Sequence, residues 1–135
     1  MAPRYVIDAC AWIAYLRDEE GGLRLEELLK QESSVFLMHA VTLGEVYYDI
    51  CRYSGKDQAD KLFEDMARLP VQVVWEIDRT LLERVGYYKT SYRVSYADCF
   101  VLGLSDREKA TVISTDHHEF DVLEKSKVLS FCWLR

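Results

Sequence analysis

The sequence predicts an α/β fold: a three-layer α/β/α sandwich around a central, mainly parallel five-stranded sheet. Two observations carry this expectation. Five short apolar runs, rich in β-branched or aromatic residues, punctuate the chain at RYVI (4–7), SVFLM (34–38), VQVVW (71–75), TVIST (111–115) and VLSFCWL (128–134). Continuous apolar runs of this length suit strands covered on both faces. Longer segments with helical spacing lie between them, and strands alternating with helices make βαβ units and a parallel sheet. Size agrees: the 135 residues are 50% hydrophobic, enough for one packed domain over residues 1–135.

Taken in order, ACAWIAYLRDEE follows the first strand as a helix, and LRLEELLKQE forms a second after the Gly21-Gly22 break. TLGEVYYDICRYSG (42–55) is helical and ends in a helix-stopping glycine. KDQADKLFEDMARL (56–69) carries Ala59, Leu62, Phe63, Met66 and Leu69 on one stripe, and Pro70 closes it. DRTLLERVGYYKTSY (78–92) is helical by the same test, and VSYADCFVLGLS holds a further helix beginning at Ser95. No internal repeat, low-complexity tract or linker interrupts the series.

Several classes are excluded. No apolar run is long enough to span a bilayer. The N-terminal MAPRYVID has no apolar segment with a cleavage site behind it, so export is not expected and the cytoplasm is the expected location. The four cysteines, Cys10, Cys51, Cys99 and Cys132, are scattered without metal-type pairing and read as reduced, buried thiols. A net charge of −6 argues against a protein that coats nucleic acid. It leaves room for an enzyme that handles nucleic acid through a metal, because carboxylate ligands themselves make a chain acidic.

Sites in parallel sheets form beyond the carboxyl ends of the strands. Four acids fall there: Asp8 after the first strand, Glu45 and Asp98 in the first turns of helices, and Asp116 after TVIST. Each alone has a structural explanation. Thr42-x-x-Glu45 and Ser95-x-x-Asp98 fit the capping box, and Asp8 and Asp116 fit ordinary N-caps worth about 1 kcal/mol each. Together they would crowd. Two like charges about 4 Å apart repel by roughly 4 kcal/mol at an effective dielectric near 20, more than capping returns. A divalent cation offsets this most directly, and oxygen-only ligands select hard ions, Mg²⁺ or Mn²⁺. Such an ion suits phosphate chemistry. The sequence has no Walker loop and no GxGxxG.

At these residues the sequence resembles a PIN-domain ribonuclease, and most of all the VapC toxins of bacterial and archaeal toxin–antitoxin pairs. The resemblance runs the length of the chain, through YVIDACAWIAYL, VTLGEVYYDI, SYADCFVLGLS and VISTDHHEFD in that order. It implies Mg²⁺- or Mn²⁺-dependent hydrolysis of RNA, a homodimer, and inhibition by a cognate antitoxin. Asp8, Glu45 and Asp98 match the three principal acids. Asp116 fits the fourth position best, Glu119 competes for it, and Asp121 is a weaker third choice. By resemblance, Asp8, Asp98 and Asp116 bind metal, and Glu45 binds metal or orients the attacking water.

Other residues have plainer expectations. His117 and His118 read as exposed loop histidines, and His39 ends a strand near Glu45. Arg52, Lys56, Lys89 and Arg93 make either a basic rim for phosphates or a solvated helix face. The helices over 42–55 and 56–69 carry more apolar residues than one buried face needs, which fits an antitoxin segment or a second protomer. A PIN-like module that binds RNA or protein without cleaving is the alternative. A phosphotransfer domain ranks below it: Asp8-Ala9-Cys10 lacks a second aspartate, and no lysine follows TVIST.

Overall fold

A computed structural model describes residues 2–135; Met1, where the expected single domain begins, lies outside the described residues. The elements run β1 (Arg4–Ile7), α1 (Ala9–Leu16), α2 (Gly22–Leu29), β2 (Val35–His39), α3 (Ala40–Ser54), α4 (Lys56–Arg68), β3 (Gln72–Val74), α5 (Arg79–Ser91), α6 (Tyr96–Glu108), β4 (Thr111–Ser114), α7 (His117–Lys125) and β5 (Phe131–Trp133). The strands form one five-stranded sheet in the order β3-β2-β1-β4-β5. Every pairing is parallel, with Tyr5 opposite Phe36 on one side and Thr111 on the other.

Two cores flank the sheet, and strand periodicity divides the residues between them. Val6, Leu37 and Val112 pack with Leu81, Val85, Tyr88, Phe100 and Phe120, from α5, α6 and α7. Their chain neighbours Ile7, Met38 and Ile113 face the other way, toward Trp12, Leu25, Leu43, Val46 and Met66 from α1 to α4. Successive strand side chains point to opposite faces, so an apolar pair such as Val6-Ile7 feeds both layers. Each fully buried side chain of this kind contributes about 1.5–3 kcal/mol.

Two glycines carry backbone requirements. Gly22 starts α2 where α1 presses closest; a Cβ there would meet Ala14 O at 2.6 Å. Gly55 joins α3 to α4 at φ +88°, a conformation that L side chains rarely adopt.

The structure departs from the sequence reading in three places. Helix α3 starts at Ala40 rather than Thr42, because His39 is the N-cap: its Nδ1 accepts the Val41 amide at 3.0 Å. Thr42 therefore caps nothing, and its buried hydroxyl has no partner. His117 and His118 open the helix α7 instead of lying in a loop. Cys10 is exposed, Cys51 and Cys132 are half-buried and only Cys99 is buried, so the thiols are free but not uniformly interior.

Candidate functional site

β1 is the central strand: the chain runs outward from it through β2 and β3 on one side, then crosses over to β4 and β5 on the other. A crevice forms at such a switch point, beyond the strand ends. Asp8 stands there, 1% exposed. Its Oδ1 accepts the Ala11 amide at 2.8 Å, capping α1, and its Oδ2 accepts the Ser114 hydroxyl at the end of β4. Ser114 Oγ accepts the Asp116 amide at 2.9 Å. A chain of hydrogen bonds thus ties Asp8 to the loop carrying Asp116. Burial pushes the Asp8 pKa up to about 7; its two hydrogen bonds oppose the rise, while Asp116 and Glu45 add to it.

Helix α6 starts where it does because Ser95 Oγ accepts the Asp98 amide at 3.1 Å. Its body, with Phe100, Val101, Leu102 and Leu104, is buried, so Asp98 projects from a rigid mount. Asp116 caps α7 through a long contact, the Glu119 amide reaching its Oδ1 at 3.4 Å. Oxygens of Asp98, Asp116 and Glu119 lie within 4.8 Å of one another. Burial and then the neighbouring Glu119 carboxyl push the Asp98 pKa up to about 8.

Glu45 sits further into α3, half-buried, with its pKa raised by burial and by Glu119. It also adds to the upward pressure on Asp8 and Asp98. Its Oε1 and Glu119 Oε2 are buried without a hydrogen bond. None of the ion pairs among the described residues involves Asp8, Glu45, Asp98, Asp116 or Glu119. Five carboxyls from four parts of the chain thus act on one another with no cation supplied by the protein. Such a donor set, all oxygen and partly orphaned, fits a hard divalent ion. Asp98, Asp116 and Glu119 have the mutual spacing to hold one. Asp8 is joined to this group through Ser114, each of its oxygens accepting one hydrogen bond and keeping a further lone pair.

The PIN domain family model matches residues 5–125. The chain belongs to the PIN-domain family. Its fold is shared with solved VapC-type structures at low identity. DNA-bound VapBC from Salmonella typhimurium aligns with a TM-score of 0.72 and 16% identity, over 100% of both chains. VapBC2 from Rickettsia felis bound to a promoter DNA fragment gives 0.72 and 12%, over 96% of this chain and 97% of that one. VapC20 from Mycobacterium tuberculosis, a toxin that cleaves the sarcin–ricin loop, gives 0.71 and 14%, over 87% and 94%. No match is found among curated proteins.

Within this PIN domain the remaining candidates separate clearly. Glu119, weighed as a rival to Asp116, stands with it rather than instead of it. The signal was legible: Asp116-x-x-Glu119 is the spacing that puts a cap and an acid in one helical turn. Asp121 is turned away and lies 3.1 Å from His117 Nδ1. His117 also stacks on Trp133 at 3.9 Å and contacts the Arg135 carbonyl at 2.8 Å, which ties α7 to the chain after β5. His39 is fully buried, with Nε2 3.0 Å from Glu76 O and its ring 5.0 Å from Phe100. Its work is capping and packing. Of the four basic residues, Lys56 pairs with Asp60 at 2.6 Å and Arg52 lies over the Tyr48 ring. Lys89 and Arg93 stand at the α5–α6 turn, just before the helix of Asp98.

Proposed function

We propose that the protein is a Mg²⁺- or Mn²⁺-dependent endoribonuclease and the toxin of a type II toxin–antitoxin pair. One observation carries the reading most: Asp98, Asp116 and Glu119 converge within 4.8 Å while buried oxygens of Glu45 and Glu119 stay unpartnered. Like charges held this close are tolerated when a cation joins them.

Asp98, Asp116 and Glu119 would hold the ion, with Asp8 and Glu45 around them. A divalent ion there supplies Lewis acidity to a phosphate oxygen and makes water a better nucleophile at neutral pH. The chain's own part is positioning. Ser95 and the buried body of α6 fix Asp98. Ser114 orients both Asp8 and the loop of Asp116. The free Glu45 Oε1 can accept a proton from an attacking water, the step expected of a general base.

The partners follow from the same reading. The solved VapBC relatives are complexes, which supports an antitoxin for this chain too. Tyr48 and Tyr53 on α3 and Phe63 on α4 are exposed, an apolar surface suited to an amphipathic antitoxin segment or a second protomer. A homodimer in the cytoplasm is the state we assign. No helix among the described residues is long and apolar enough to cross a membrane.

The deciding experiment is incubation of RNA with the protein and Mg²⁺. Cleavage is expected, stopped by EDTA and by Asp8→Asn. Intact RNA in the presence of either metal would overturn the reading.

A further inference from the structure

A nuclease of net charge −6 with five clustered carboxyls repels its own substrate, so RNA needs a cationic foothold near the acids. Other clefts set their cations among acids. The one beside Asp116 sets Arg135 against Glu19, and two at the opposite end of the strands, far from the acid cluster, carry Lys109 and Lys127 with Asp106, and Arg4 and Lys109 with Glu108. The cleft between α1 and α2 is acidic, with Asp18, Glu19, Glu20 and Glu26. The cleft at the α5–α6 turn differs. It has a volume of about 530 Å³ and is lined by Lys89, Thr90, Ser91, Tyr92, Arg93 and Val94, two cations and no carboxylate.

Its position is fixed by helix packing. Val85 of α5 lies against Gly103 of α6, and Tyr88 Oη donates to Asp106 at 3.0 Å. Arg107 near the end of α6 lies 3.6 Å from Asp78 at the start of α5, while Lys89 near the end of α5 reaches Val94 just before α6. The helices therefore run antiparallel, and the turn between them meets the α6 N-terminus, where Asp98 sits. Lys89 Nζ donates to Val94 O at 2.8 Å, which closes the turn and leaves two of its three donors free. Arg93 is exposed and forms no ion pair or hydrogen bond among the described residues, so its whole fork is available. The positive end of the α6 dipole adds to the cationic character.

We propose that this cleft is the substrate's phosphate-binding track, in which Lys89 and Arg93 hold the RNA backbone beside the bond being cut. The inference rests on the ribonuclease reading and assigns that site its substrate contact. Both are positioning residues: they hold the strand and take no part in bond making.

The test uses the full chain and a fluorescein-labelled single-stranded oligoribonucleotide, with binding followed by anisotropy in Ca²⁺ and cleavage in Mg²⁺. Arg93→Glu is expected to weaken binding by about tenfold, to raise KM in step, and to leave kcat within about twofold. The slope of log affinity against log salt should fall by about 0.7 for the lost phosphate contact. Arg93→Lys should recover most of the affinity. Lys109→Glu makes the same charge change at the far end of α6 and should leave binding nearly intact. An unchanged Kd and KM in Arg93→Glu, or an equal loss in Lys109→Glu, would overturn the assignment while leaving the nuclease standing. Wild-type protein that binds RNA through Arg93 but never cuts it would do the reverse.

Discussion

Helix α6 has acids at both ends, and the two ends are treated oppositely. At its C-terminal end, Glu108 accepts Arg4 at 2.6 Å and Arg107 at 3.1 Å, while Asp106 takes Tyr88 at 3.0 Å and lies 3.6 Å from Arg84. A carboxylate is disfavoured at that end by the helix dipole, and three arginines offset the cost. At its N-terminal end the dipole favours Asp98, yet Asp98 faces two other carboxyls and meets no basic side chain within ion-pair distance. The chain can neutralise acids when its stability requires it. At the sheet's carboxyl edge it does not, and the acids there face one another without a basic partner.

The sharpest way to break this contrast is to neutralise one acid at each end. Asp98→Asn is expected to lower RNA cleavage by more than about a hundredfold, the scale on which metal-site substitutions act. Glu108→Gln should leave the rate within twofold of wild type. Cleavage assays on both proteins check this, and equal rates would erase the distinction.

Metal binding gives the next largest effect. Mn²⁺ at about a hundred times its Kd should stabilise the folded protein by about 2.7 kcal/mol, read as a rise in Tm. Asp98→Asn and Glu119→Gln should each remove most of that rise, and Glu108→Gln should keep it. A full rise in Glu119→Gln would take that residue out of the ligand set.

Protonation provides a third handle. Asp8 and Asp98 are pushed up to about 7 and about 8, from an ordinary value of 3.8. Each folded carboxyl then holds its proton more tightly than the unfolded chain does. The associated stability is fully present below about pH 4 and is lost as pH rises through 7 to 8. The metal-free Tm should therefore fall across this window more steeply in wild type than in Asp98→Asn. Mn²⁺, which needs the deprotonated acids, should stabilise more at pH 8 than at pH 5. Thermal scans at several pH values measure both slopes.

The smallest effect belongs to the paired end. Arg4→Ala removes a partly exposed ion pair and should cost about 0.5–1 kcal/mol, with no change in the Mn²⁺-induced rise. Chemical denaturation quantifies the first, and the thermal scan the second.

The sequence revealed the layers because apolar runs and helical stripes are local signals. RYVI is a strand over the expected residues, and the other four strands lie within or one residue beyond their runs. Helix α3 was placed two residues late because a histidine N-cap has no distinctive pattern, whereas Ser95 and Asp78 announce their helices. Helix α7 is short and polar, so its first turn read as loop. At the site, Asp8, Asp98 and Asp116 stand out by their positions after strands or at helix starts. What stayed hidden is pairing. Only coordinates show that the arginines gather at Asp106 and Glu108 and that Glu119 reaches Asp98 across the sheet edge. Burial of His39 and exposure of Cys10 likewise depend on neighbours distant in the chain.

The strand order has a consequence in time. The ribosome makes β1, β2 and β3 before β4, yet β4 must slot in beside β1 to carry Asp116 and Glu119 into place. A nascent chain that ends anywhere before residue 119 therefore lacks at least one member of the acid trio. A truncated product carries Asp8 and Glu45 without the completed acid trio, so under the proposed function no fragment is expected to cut RNA until residue 119 has been added.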